Sequence, residues 1–91
     1  MIDEQPKVSI IILSYNQEEY LEQAILSAVN QTYKNIEIII SDNGSTDSSK
    51  SIARNYRDKD HRVIFLDHKE NLSISLRQNQ ALQESSGMFI S

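Results

Sequence analysis

Hydrophobic positions along the chain fall into short blocks that alternate between two periods. Lys7 to Leu13 is nearly continuous Val and Ile, the pattern of a strand covered on both faces rather than one with a wet side. Such a strand needs helices above and below it. Leu21, Ala24, Ile25, Ala28 and Val29 then recur at three- and four-residue spacing and make one apolar helical stripe. Asn16 stands where it can cap that helix, with Glu18 and Glu19 well placed against its dipole. Asn30 to Asn35 reads as a polar turn, and Ile36 to Ser41 as a second β-branched strand.

The pattern then repeats with thinner signals. Ser45 or Thr46 opens a second helix with Asp47 in its first turn, and Ile52, Ala53 and Tyr56 form its buried face. Asp58 to Arg62 is a charged loop, Val63 to Leu66 a short third strand, and His68 to Asn71 another loop. Ser73 to Ser86 predicts a third helix closed by Gly87, with a ragged stripe of Ile74, Leu76, Ala81 and Leu82. Met88 to Ile90 begin a fourth strand. Residues 1–6 read as a polar tail, since Pro6 has no N–H for a ladder, and residues 7–91 as one domain. Strand and helix alternate at crossover spacing, β-α-β-α-β-α-β. The expected fold class is therefore α/β and Rossmann-like, a mostly parallel sheet with right-handed crossovers and helices on both faces.

Composition narrows the function classes. Ninety-one residues, 38% apolar and 24% charged, suit one small globular domain with little stability to spare. A formal charge of −4 gives no electrostatic reason to bind nucleic acid or an anionic membrane. There is no cysteine, hence no disulfide, thiol nucleophile or Cys-based zinc site. No apolar run reaches the ~20 residues of a membrane span, and the acidic N-terminus lacks the features of a signal peptide, so a cytoplasmic location is the default expectation.

The candidate chemistry lies where strands end. Ile36–Ser41 empties directly into Asp42-Asn43-Gly44-Ser45-Thr46-Asp47, and Val8–Leu13 into Ser14-Tyr15-Asn16. Parallel neighbours put both polar turns on one edge of the sheet, which is where open α/β sheets bind ligands. Asp42 at a strand end can accept from a ring N–H or from ribose hydroxyls, and Tyr15 can stack on a base, although taken alone a tyrosine at a strand end more often packs. Taken alone, Asp42-Asn43 more often makes an Asx-turn, Gly44 serves a positive-φ turn as readily as a ligand's approach, and Ser14, Asn16 and Ser45 suit turns and caps. Their coincidence on one edge favours a binding site. Arg77 reads either as a phosphate contact or as a solvent-facing residue. His61 and His68 lack a second ligand at metal spacing and read as exposed loop residues. With two glycines in all, both the dinucleotide glycine loop and the P-loop are excluded.

Several blocks carry a further likeness: Val8-Ser-Ile-Ile-Ile-Leu-Ser-Tyr-Asn16, Tyr20-Leu21, Ser27-Ala-Val-Asn-Gln-Thr-Tyr33 and Ile36 through Asp47. In order and spacing the chain from Lys7 to Ser91 resembles the inverting family 2 glycosyltransferases. Asn71-Leu72, Asn79 and Gly87-Met-Phe-Ile90 are similar to the family's later Asn loop, helix and Gly-aromatic-Ile strand. The resemblance implies the donor half of a GT-A fold binding a nucleotide-diphosphate sugar, commonly a UDP- or dTDP-sugar. It places Ser14, Tyr15 and Asn16 in the lining of the nucleotide pocket and Asp42 on the family's first aspartate, the one associated with the base. Asn43 replaces the frequent second aspartate, which leaves open which of the two meets the ring. Gly44, Ser45, Asn71 and Arg77 complete the implied nucleotide-binding set. Leu13 stands where proline is usual, and Gln78 where an arginine is common, with Arg77 beside it.

The resemblance further implies that the strand starting at Gly87 leads to an Asp-x-Asp motif holding Mg²⁺ or Mn²⁺, which these residues do not reach. The expectation is a donor-binding part with no catalytic residue of its own, in polysaccharide or glycoconjugate synthesis. Two alternatives stand beside it: a non-catalytic nucleotide-binding module, and an α/β interaction domain that self-associates through a short fourth strand and an uncovered apolar face. The nucleotide reading requires Tyr15 and Asp42 to share one cleft, with the aspartate open to it.

Overall fold

The computed structural model describes residues 6–31, 34–85 and 88–90. Its elements are β1 (Val8–Ser14), α1 (Glu18–Val29), β2 (Ile36–Asn43), α2 (Ser49–Lys59), β3 (Val63–His68), α3 (Ile74–Glu84) and β4 (Met88–Ile90). The described strands form one sheet in the order β3-β2-β1-β4, every pairing parallel. The α/β, Rossmann-like expectation holds.

Side-chain alternation along the strands sorts the core into two layers. Ile36, Ile38 and Ile40 of β2 pack with Leu21, Ile25 and Ala28 of α1 and Ala53 of α2, joined by Val8, Ile10 and Ile12 of β1. Ile39 and Ile11 face the other way and meet Ala81 of α3, with Leu13, Ile64, Leu66 and Leu82 around them. The α1 stripe behaves as its spacing predicts, except that Ala24 is exposed. The α3 stripe does not. Ile74 and Leu76 face solvent, and the buried pair one helical turn apart is Arg77 and Ala81.

Several boundaries move for identifiable reasons. β2 runs on through Asp42 and Asn43 because both find parallel partners: Ser14 lies opposite Asp42 on one side, Asp67 and His68 opposite Asp42 and Asn43 on the other. Ladder pairing overrides the poor strand preference of Asp and Asn. The same pairing draws Asp67 and His68 into β3, so His68 is a half-buried strand residue and not an exposed loop residue. α2 starts at Ser49, not at Ser45 or Thr46, because the backbone N–H groups of Ser45, Thr46 and Asp47 are held by the side chains of Asp42 and Asn16. α3 begins at Ile74, where Ser73 caps it by accepting from Leu76 N–H at 3.2 Å. Gly87, expected to close α3, lies outside the described residues.

Candidate functional site

The carboxyl ends of β1 and β2 open into a cleft roofed by the start of α3. Its lining is Leu13, Ser14, Tyr15, Gln17, Ser41, Asn43, Ile74 and Arg77, around a small cavity of about 80 Å³ that opens to solvent, below the usual range of small-molecule sites. Tyr15 is 43% exposed and offers a ring at the rim. Ser14, Tyr15, Asn43 and Arg77 thus come together as the sequence suggested. Leu13, Gln17, Ser41 and Ile74 are lining residues that sequence reasoning missed. For Ser41 the signal was present: residues of one strand share a face at every second position, and Ser41 follows Ile39 and precedes Asn43 on the α3 side.

Asp42 is the main correction. It follows Ile38 and Ile40 toward α1 and α2, away from the cleft that Tyr15 and Asn43 line, and is 0% exposed. Its oxygens accept from Ser45 N–H at 2.8 Å and Ser45 Oγ at 2.6 Å, and Lys50 Nζ stands 4.0 Å away. The condition that Asp42 and Tyr15 share a cleft is not met: the aspartate builds the turn from below and carries no part of a nucleotide reading, which is left to rest on Tyr15 and Asn43. Of the two adjacent residues, Asn43 is the one on the cleft. Lys50, another residue the sequence did not point to, also donates to His68 carbonyl at 2.8 Å and pairs with Asp67 at 2.5 Å. Hydrogen bonding from Lys50, reinforced by Arg54 against some desolvation, holds the Asp67 carboxyl below its ordinary value.

Asn16, Gly44 and Ser45 likewise belong to the scaffold. Asn16 sits at φ 48°, in the left-handed region that Asn tolerates. It does not cap its own helix. Its Oδ1 accepts from Thr46 N–H at 2.8 Å and Asp47 N–H at 3.3 Å, while its N–H donates to Ser45 Oγ at 2.8 Å. Asp47 returns the contact by accepting from Glu18 N–H, in the first turn of α1, at 3.2 Å. The two turns therefore cap each other across the sheet edge. Desolvation pushes the Asp47 carboxyl up, but hydrogen bonds from Ser49 and Glu18 outweigh it, and the net shift is downward. Gly44 has φ 83°, and a Cβ there would stand 3.0 Å from the Glu70 carbonyl carbon and 3.1 Å from Asn71 N. The loop 69–71 fills the space on that side of Gly44 that a ligand's approach would have used.

Asn43 fastens that loop. Its Oδ1 accepts from Leu72 N–H at 2.9 Å and Arg77 Nε at 2.7 Å; its Nδ2 donates to Leu72 carbonyl at 2.8 Å and Asn71 Oδ1 at 2.9 Å. Asn71 thus reaches the site through Asn43. Arg77 is 4% exposed and donates also to Gln80 Oε1 and to the Glu70 carbonyl. These acceptors are neutral, so a guanidinium expected either at a phosphate or in solvent is instead threaded through the loop beneath α3, a role its fork of donors suits. Burial holds the neighbouring His68 below its ordinary value, and the Arg77 charge adds to that.

Among the described residues no group of three or more His, Cys, Asp or Glu side chains is placed to hold a metal ion, so these residues offer a divalent cation no ligand set. Nor is any helix among them long and apolar enough to cross a membrane.

A strand-end cleft of this form, on a parallel sheet wrapped by helices, defines the chain as a Rossmann-like α/β domain, and comparison with known proteins makes the class definite. The family described as Glycosyl transferase family 2 matches residues 9–91, and the chain belongs to that family. It is 38% identical over 84 residues to the glycosyltransferase GlyA of Streptococcus pneumoniae, covering 92% of this chain and 12% of that protein. It is 37% identical over 86 residues to the GalNAc(5)-diNAcBac-PP-undecaprenol beta-1,3-glucosyltransferase of Campylobacter jejuni, covering 93% and 28%. Among solved structures it overlays on Staphylococcus aureus TarS 1-349 with a TM-score of 0.81 at 27% identity, over 92% of this chain and 26% of that one. The mannosyltransferase PcManGT of Pyrobaculum calidifontis, in complex with GDP-Man and Mn²⁺, gives a TM-score of 0.83 at 23% identity over 92% and 26% and shows the same fold. The chain spans about a third or less of the length of these curated relatives.

Proposed function

We propose that residues 7–91 are the donor-nucleotide-binding part of an inverting glycosyltransferase. Such an enzyme moves a sugar from a nucleotide-diphosphate sugar to an acceptor hydroxyl in polysaccharide or glycoconjugate synthesis. The observation that carries the reading is the cleft itself. A half-exposed tyrosine ring stands over buried polar groups at the carboxyl ends of adjacent parallel strands, the position at which open α/β sheets take ligands. Membership of family 2 and the likeness to relatives named as glycosyltransferases support the same reading.

In this reading Tyr15 stacks on the base, Ser14 and Asn43 line its edge, and Arg77 with Asn71 holds the wall. Asp42, Asn16, Gly44 and Ser45 hold the rim in place without touching the ligand. The donor is a UDP- or dTDP-sugar, and Mg²⁺ or Mn²⁺ on its diphosphate is held by groups outside the described residues. These 91 residues bind the donor without turning it over. The test is a titration of UDP, dTDP and GDP followed by amide NMR shifts. Shifts concentrated at Tyr15, Ser41 and Asn43, larger for UDP or dTDP than for GDP, are expected. No saturable shift with any of the three would overturn the assignment.

A further inference from the structure

The cleft holds a feature that its family membership does not explain. The side-chain oxygens of Ser14 and Ser41 are both buried, at 3% and 0% residue exposure, and neither finds a hydrogen-bond partner among the described residues. Both line the same cleft. Buried hydroxyls are nearly always bonded, because leaving one unmade forfeits its hydration without replacement. Alternation parts the two: Ser14 lies opposite Asp42 and shares its face with Ile10 and Ile12, whereas Ser41, opposite Leu13, lies on the α3 side with Asn43, so Ser41 is the hydroxyl placed for something that arrives in the cleft.

Of the buried polar groups beside Ser41, Asn43 and Asp42 are committed within the chain and Arg77 largely so. Asn43 uses both lone pairs of its Oδ1 and both hydrogens of its Nδ2 within the chain. Three donors of Arg77 go to Asn43, Gln80 and Glu70. Asp42 faces away and is held by Ser45. Tyr15 and Gln17 stand at the exposed rim, so at the buried floor of the cleft the Ser41 hydroxyl is the group with both a donor and an acceptor to give.

We propose that Ser41 is the base-reading floor of the donor cleft: its hydroxyl bonds the inserted polar edge of the nucleobase whose face lies against Tyr15. This deepens the donor-nucleotide reading and rests on it. The ligand chemistry follows from the surroundings. A group that enters must offer a flat apolar face to the Tyr15 ring and carbonyl or ring-nitrogen atoms at its leading edge, since Leu13 and Ile74 make the flanks apolar. A nucleobase has both; a sugar or a bare phosphate lacks the flat face.

Ser41→Ala tests the idea, with uridine and UDP titrated into the full 91-residue chain by amide NMR. Loss of one hydrogen bond to the ligand weakens binding roughly 5- to 10-fold, and the same factor is expected for uridine and UDP because both carry the base. The thermal midpoint of the ligand-free variant stays level or rises, because the change removes an unpartnered buried hydroxyl. Wild-type protein that binds neither compound would sink the donor reading itself. Wild-type binding with an unchanged affinity in the variant would sink only this inference. So would a variant that loses affinity for UDP but not for uridine, or one whose melting point falls along with its affinity. Should Ser41→Ala not fold, Ser41→Cys, which keeps the volume with a much weaker donor, is read by the same criteria.

Discussion

Replacing Asn43 by alanine asks how much of the site's shape depends on one amide. The side chain makes four hydrogen bonds within the described residues, to Asn71, Leu72 (twice) and Arg77. Leu72 and Asn71 are exposed, so their freed groups turn to water and each lost bond costs little. Arg77 Nε is different: the guanidinium is buried, and nothing else described lies in place of the amide oxygen. A hydrogen bond to a charged group contributes about 1.5–3 kcal/mol. Adding a small term for the loop contacts, Asn43→Ala should lose about 3 kcal/mol of the roughly 5–14 kcal/mol expected for a chain of this length. Urea unfolding followed by far-UV circular dichroism reads this as a midpoint lower by roughly 3 M, for a slope near 1 kcal/mol per M. The partner variant Arg77→Met removes the charge that needs the amide, so in the double variant the two losses should fall well short of their sum. A loss under about 1 kcal/mol for Asn43→Ala, or strict additivity in the cycle, would refute the claim that the amide and the buried guanidinium support each other.

Two further expectations follow from the same scaffold. Gly44→Ala should destabilise by at least ~1–2 kcal/mol from the positive φ alone, with more from contact against the backbone of residues 69–71; thermal melting checks it. Stability should also fall with acid in two windows. His68, held low by burial, is neutral when folded, so its contribution is present above the unfolded value near 6.5 and is lost as pH drops below it. Asp60 is lowered to about 2, first by the hydrogen bond from Arg62, so its contribution is intact above about 4 and lost as pH falls from there toward 2, with Asp47 and Asp67 acting in the same direction. Denaturation midpoints measured from pH 8 to pH 2 test both, and His68→Gln should flatten the first window while leaving the second.

The sheet and its helices were legible because period-2 and period-3.6 patterns report burial directly, and Val8–Leu13 and Leu21–Val29 carry those patterns without interruption. The strand-end cleft was legible in place but not in detail. Reading Asp42 as the open carboxylate ignored the alternation that the strand itself imposes: with Ile38 and Ile40 on one face, Asp42 must join them and Ser41 and Asn43 must take the other. That step needed only the sequence and the knowledge that β2 continues past Ser41. What could not be read was the continuation, since Asp and Asn signal turns and only pairing with β1 and β3 keeps them extended. Arg77 was misread for a related reason. A cation at a core position of α3 makes sense only once Asn43 and the Glu70 carbonyl are known to surround it.

The reciprocal contacts of Asn16 with Thr46 and Asp47, and of Asp47 with Glu18, have a bearing on affinity. They lock the tyrosine's turn to its neighbour before any guest arrives, so the conformational freedom that a mobile rim would surrender on association has already been given up during folding. A ligand meeting such a preset aperture keeps more of its contact energy as affinity, and loosening a residue as remote from it as Asp47 would be felt as weaker capture at Tyr15.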